Sequence, residues 1–259
     1  MSESTIRQTP EWRLEVARGN VPRVSIFEKF GKNNDIDTGS APEDIWNGGG
    51  DYTGFPTGSA ETMEIRSSRG DDTSGGTGAR TVKIFNLLDG TGAEMPDVEV
   101  TLNGTSWVSL GVSTYYRGGS RIKVTSAGSG GTNAGEITLR HTTTTSNIFA
   151  VMPSGLNQTA MAAYTVPLGK TLYISRANAQ MVRANGSPGS ATVSIRNREY
   201  GGVFNTTVVP AISHSNSYTF ENNGWFVYPA RTDIKWRCED VSDNNTIITG
   251  EFGGVLIDD

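Results

Sequence analysis

The chain has 259 residues, of which 32 are glycine and only 19% are charged, and its formal net charge is −5. That length holds one large β domain or two small ones, and the acidic balance lacks the basic surplus that draws a protein to a phosphate backbone, so nucleic acid is not an expected partner. One cysteine, Cys238, excludes an internal disulfide framework, and two histidines, His141 and His214, are too few for a zinc site of the usual kind.

The first thirty residues have neither a basic start followed by an apolar run nor a small-residue cleavage site. Export by a signal peptide is therefore not expected, and the single cysteine reads as that of a chain made in a reducing cytoplasm. Apolar runs stay far below the ~20 residues that cross a bilayer, so no membrane span is expected. Over residues 1–58 the aromatics Trp12, Phe27, Phe30, Trp46, Tyr52 and Phe55 are scattered among Gly, Asn, Asp and Pro without a period of 2 or 3.6. Such a segment reads as an extended docking arm, its aromatics buried against another surface, either the chain's own β domains or a neighbouring subunit.

Within that arm, Asp37-Thr38-Gly39-Ser40 carries the letters around a catalytic aspartate of pepsin-like proteases. A single-chain enzyme of that type needs two such aspartates sharing a proton, and no second copy exists. The expected role is a turn, with Asp37 accepting backbone N–H bonds and Gly39 supplying a positive φ. Asp35-x-Asp37-x-Gly39 lacks the further oxygen ligands of a calcium loop, so no metal is expected. Pro42 to Trp46, with Ser40 as N-cap and Glu43 and Asp44 following, reads as one short helical turn.

From residue 81 onward the pattern alternates in period two, with turn residues about every ten positions. It predicts strands at 81–88, 98–102, 121–125, 136–140, 148–151, 162–166, 171–181, 191–197, 203–209, 217–221, 225–228, 233–239, 246–249 and 252–257. An internal repeat, Ser-Gly-Gly-Thr-x-Ala at 74–79 and again at 129–134, feeds a strand each time. The fold expected is all-β: the arm at 1–58, then two β-sandwich, jelly-roll-like domains at 59–158 and 159–259.

Other motifs give no chemistry. Gly169-Lys170-Thr171 lacks the upstream glycine of a phosphate-binding loop and opens a strand instead of a helix, and Gly130 to Gly135 has the spacing but is followed by Glu136 in place of lysine. Arg69-Gly70-Asp71 sits in a loop whose composition produces it by chance. His141 and His214 have no nucleophile at a recognised spacing. No catalytic, cofactor-binding or metal-ligating residue is therefore expected. Trp225 and Tyr228 are singled out as surface contacts, to a neighbouring subunit or to a host-surface glycan.

Several blocks in order, from "EVARGNVPRVSIFEKFGKNNDIDTGSAPEDIWNGGGDYTGFP" through "GTGARTVKIFNLLDG", "VTSAGSGGTNAGEITLR" and "YTVPLGKTLYISRANAQM" to "YPARTDIKWRCEDVSDNNTIITGEFGGVLIDD", resemble virion structural proteins of tailed bacteriophages. The resemblance implies a non-enzymatic virion component, assembled in the bacterial cytoplasm in many copies with itself and with other neck, tail or capsid proteins. Its implied place is the neck or tail, as a fibre component or fibre–tail adaptor. Head decoration and host glycan or receptor binding are the alternatives.

Overall fold

A computed structural model describes residues 12–55, 61–111, 121–214 and 216–259. A short helix, α1 (Trp12–Ala17), precedes the long strand β1 (Val24–Ile36) and the two-residue β2 (Glu43–Asp44). Short strands follow: β3 (Met63–Ser67), β4 (Ala79–Phe85), β5 (Val98–Thr101), β6 (Val108–Ser109), β7 (Arg121–Ala127), β8 (Ile137–His141), β9 (Ile148–Met152) and β10 (Ala163–Thr165). The remainder is β11 (Lys170–Arg183), β12 (Ser190–Arg198), β13 (Asn205–Val208), β14 (Ala211–Ser213), β15 (Ser217–Tyr228), β16 (Asp233–Val241) and β17 (Thr246–Asp258).

These strands form four antiparallel sheets. The first has the order β1-β17-β11-β15 and the second β10-β16-β12-β13, with β14 on β12 and β2 on β16. The third runs β6-β3-β8-β9 and the fourth β5-β4-β7. The expectation of two jelly-roll-like β-sandwich domains is corrected here: the four small sheets stand as the blades of a four-bladed β-propeller. Period-two alternation specifies which residues face inward, but it does not say which strands share a sheet.

Apolar side chains gather in two clusters, each drawn mainly from two blades. Phe27, Leu172, Ile174 and Phe252 of the first blade meet Val193, Ile195, Trp236 and Cys238 of the second. Met63, Ile65, Leu139 and Phe149 of the third meet Val82, Ile84 and Ile122 of the fourth. Trp236, fully buried, also donates its indole N–H to the Glu251 carbonyl at 3.0 Å, which satisfies its polar edge.

Residues 24–36 form the largest difference from the sequence pattern. They pair with β17 from Val24↔Ile257 to Ile36↔Thr246, and so make one edge of the first blade. The inward positions are Phe27, Lys29, Gly31, Asn33 and, after the register break, Ile36; three polar or glycine positions between the two hydrophobics hide the alternation. Gly31 is required by close approach: a Cβ there would lie 2.2 Å from both the Ala162 nitrogen and the Ile45 carbonyl oxygen. The helical turn expected at Pro42 to Trp46 is a strand contact instead, because Glu43 and Asp44 pair with Cys238 and Arg237 of β16.

The internal repeat has a physical cause. Asp72 is fully buried, and its Oδ1 accepts the N–H groups of Ala79 at 2.6 Å and Ala134 at 2.8 Å, the equivalent residues of the two repeats. Its Oδ2 accepts Gly135 N–H at 2.8 Å and Ser67 Oγ–H at 2.5 Å. One carboxylate thus fastens both Ser-Gly-Gly-Thr turns between the third and fourth blades.

Candidate functional site

Groups with catalytic potential are occupied by structural work. Asp37 Oδ1 accepts the Asn245 N–H at 2.8 Å, and Thr38 donates both N–H and Oγ–H to Asn244 Oδ1 at 2.9 Å, so the protease-like tetrapeptide is a turn tied to the β16–β17 loop. Lys170 opens β11 and lies 3.1 Å from Glu94 and 3.2 Å from Asp258. His141 Nδ1 accepts the N–H groups of Thr143 and Thr144, capping a turn, while His214 Nδ1 accepts that of Arg183. Burial pushes the Cys238 thiol up to about 12, which keeps it protonated and unreactive. Among the described residues no cluster of His, Cys, Asp and Glu could hold a metal ion.

The aromatics marked in the sequence divide between interior and surface. Phe27 is buried 4.6 Å from the Tyr164 ring and 5.9 Å from Phe252. Trp46, Tyr52 and Phe55 form a buried edge-to-face chain at 5.2 and 4.9 Å, and the Tyr52 hydroxyl donates to the Phe149 carbonyl at 3.1 Å. Trp12 and Phe30 remain on the surface, 42% and 38% exposed. Trp225 is also outward at 41%, but Tyr228 is 4% exposed, and the outward companion of Trp225 is Val227 at 53%. Strand geometry requires this, since positions 225 and 227 share a face and 226 and 228 share the other.

Two surfaces combine accessibility with specific geometry. The first is the outer face of the first blade. Ile26, Val255, Tyr173 and Val227 stand in register across its four strands, and the Trp225 ring meets Tyr173 edge-on at 6.3 Å. At the far side Arg13 of α1 donates to Ser175 Oγ at 2.5 Å, and Arg176 pairs with Glu28 at 2.6 Å. The row ends on β15, the outermost strand, whose twelve residues include no lysine and no proline.

The second is a cleft of about 640 Å³ walled by the β12–β13 loop, the β15–β16 loop and residues near Tyr52. On one side Arg198 donates through Nε and Nη2 to Asp233 Oδ2 at 3.0 and 2.5 Å, Thr165 Oγ–H bonds the other carboxylate oxygen, and the Arg198 guanidinium lies 4.7 Å from the Phe204 ring centre. On the other side the Arg231 guanidinium lies over Tyr200, 3.4 Å from its ring centre. Sequence reading missed Arg198, Tyr200 and Arg231, because the loops that bring them together are separated by a full hairpin. The Tyr-Gly-Gly stretch at 200–202 was the available signal, a loop free to lay an aromatic ring over a cavity.

No protein-family profile and no curated protein matches this chain. A structure of the infectious bursal disease virus Gx strain is similar at 10% identity over 91% of this chain and 72% of that one, with a TM-score of 0.23. The exported protein XepA of PBSX is similar at 8% identity over 89% and 86%, with a TM-score of 0.21. The resemblance to tailed-bacteriophage virion proteins is corrected by these results. None of the matches supports a tail-fibre, adaptor, head-decoration or host-glycan role.

Proposed function

We propose that this chain is a non-catalytic structural component that assembles with copies of itself, strand β15 of one copy adding to strand β15 of another. The observation that carries this reading is an edge strand, β15, without lysine or proline. Native proteins blunt exposed sheet edges with lysine, proline or bulges, because free N–H and C=O groups invite a further strand. The opposite edge, β1, is defended by Glu28, Lys29, Lys32 and Asp35 and by a break in register between Asn33 and Ile36. β15 also has one register break, between Glu221 and Phe226, but on either side it pairs regularly with β11 over Ser217–Glu221 and Phe226–Tyr228, has only Glu221 as a charge, and presents Trp225 and Val227 beside its edge. Antiparallel pairing about a two-fold axis is self-complementary, so one surface serves both copies. The structural employment of Asp37, Lys170, His141, His214 and Cys238 supports a role other than catalysis.

Sedimentation or light scattering on the full chain tests the reading. The expected result is an average mass well above the monomer's at ~100 µM, a concentration that half-saturates an association of about −5.5 kcal/mol, and a return to monomer in Val227→Lys with unchanged circular dichroism. A wild-type monomer at that concentration, or a Val227→Lys dimer, would overturn it.

A further inference from the structure

The cleft beside Tyr200 stands independently of self-assembly. Its charges do not balance. Arg198 and Asp233 neutralise each other, but among the described residues Arg231 has no ion-pair partner. Its Nε is also buried without a hydrogen-bond acceptor, which leaves a donor unsatisfied. The residue is nonetheless held firmly. Its backbone takes a left-handed φ of 66°, unusual for a side chain of this size, and its N–H is fixed on the Val166 carbonyl at 2.7 Å. Its stem rests at the closest ordinary approach to Gly92, where a Cβ would stand 3.4 Å from both Cγ and Nε, and Tyr200 covers its plane. Strained backbone that persists under such constraint is a mark of functional sites.

We propose that this cleft binds a carboxylate carried on a flat, apolar body, with the carboxylate on Arg231 and the body against the Tyr200, Phe204 and Phe55 walls. A guanidinium fork matches a carboxylate plane with two parallel N–H···O bonds; Nε is buried, so the two Nη groups are the prongs that meet the ligand. The Arg198–Asp233 pair supplies a neutral, rigid floor, so one negative charge on the ligand completes the balance. Such a group comes either as a free small molecule or as the C-terminal residue of a peptide.

Calorimetric titration of the full chain with benzoate, benzamide, acetate and inorganic phosphate distinguishes the elements of the site. Benzoate is expected to saturate one site, and benzamide and acetate to bind at least about tenfold more weakly, since each lacks either the charge or the ring. Arg231→Gln removes benzoate binding by a similar factor. Should that variant fold poorly because of its backbone, Tyr200→Ala, on an exposed loop, carries the test by lowering benzoate affinity while benzamide remains weak. A peptide ending in phenylalanine, compared free and amidated, identifies the source. Tighter binding of the free form than of benzoate assigns a chain terminus, and binding of benzoate alone assigns a small molecule. Equal binding of benzoate and benzamide, no benzoate binding at ~10 mM, or stronger binding of phosphate than of benzoate overturns the proposal.

Discussion

The first blade and the third and fourth blades solve the same problem in different ways. The first is built from strands of 12 to 14 residues, β1, β11, β15 and β17, joined by near-continuous ladders over a wide apolar face. The third and fourth use strands of two to seven residues, too short to hold their register by backbone pairing alone. They gain that definition from a buried carboxylate, Asp72, which receives four donors from segments as far apart as Ser67 and Gly135. Long ladders distribute stability over many weak contributions, whereas short ones concentrate it in a few polar residues.

That contrast sets the order of the expected effects. The largest belongs to Gly254→Ala in β17, where a Cβ would lie 1.8 Å from the Tyr173 carbonyl oxygen and 2.9 Å from Ile174 Cα. Neither backbone atom can move without breaking the β11–β17 ladder, so expression is expected to yield insoluble protein, and a soluble variant with native circular dichroism would show that even the long ladder is locally adjustable. Next is Asp72→Ala. Three backbone N–H groups and one hydroxyl lose their acceptor in a buried site, and a loss of about 3–5 kcal/mol in urea unfolding is expected. A loss below about 1 kcal/mol would mean that the short-strand blades do not depend on that hub.

The smallest effect concerns Cys238, in the core shared by the first two blades. Its thiol is pushed up to about 12 by burial, above the ordinary value of the unfolded chain. The unfolded chain therefore releases the proton first, and this contribution to stability is full below the ordinary thiol value and declines as pH rises towards 12. Alkylation by iodoacetamide at pH 8.5 is expected to be at least ~100-fold slower in native protein than in urea. Comparable rates would mean that the long-strand core opens as readily as a surface loop.

Much of the strand pattern from residue 81 onward was legible, because turn residues and alternation are local signals. The Ser-Gly-Gly-Thr-x-Ala repeat was also visible, although its cause, a shared carboxylate, was not, since Asp72 lies just before the first copy and far from the second. β1 was hidden for two reasons. Lys29, Gly31 and Asn33 occupy inward positions that a pattern search expects to be apolar, and the partner that makes them a strand lies more than two hundred residues away. The assignment of strands to four blades instead of two sandwiches is likewise a long-range property. So is the cleft: Arg198, Tyr200 and Arg231 are unremarkable letters until two loops bring a guanidinium onto a ring.

The pairing of β1 with β17 also orders events in time. All strands of the third and fourth blades come from residues 63–152, so they can close while the rest of the chain is still being synthesised. The first blade cannot, because Val24 waits for Ile257 and the ladder between them closes a loop of nearly the whole sequence. During translation the earliest strand is thus the last to be paired, and Phe27 spends that interval without the neighbours that bury it in the folded chain.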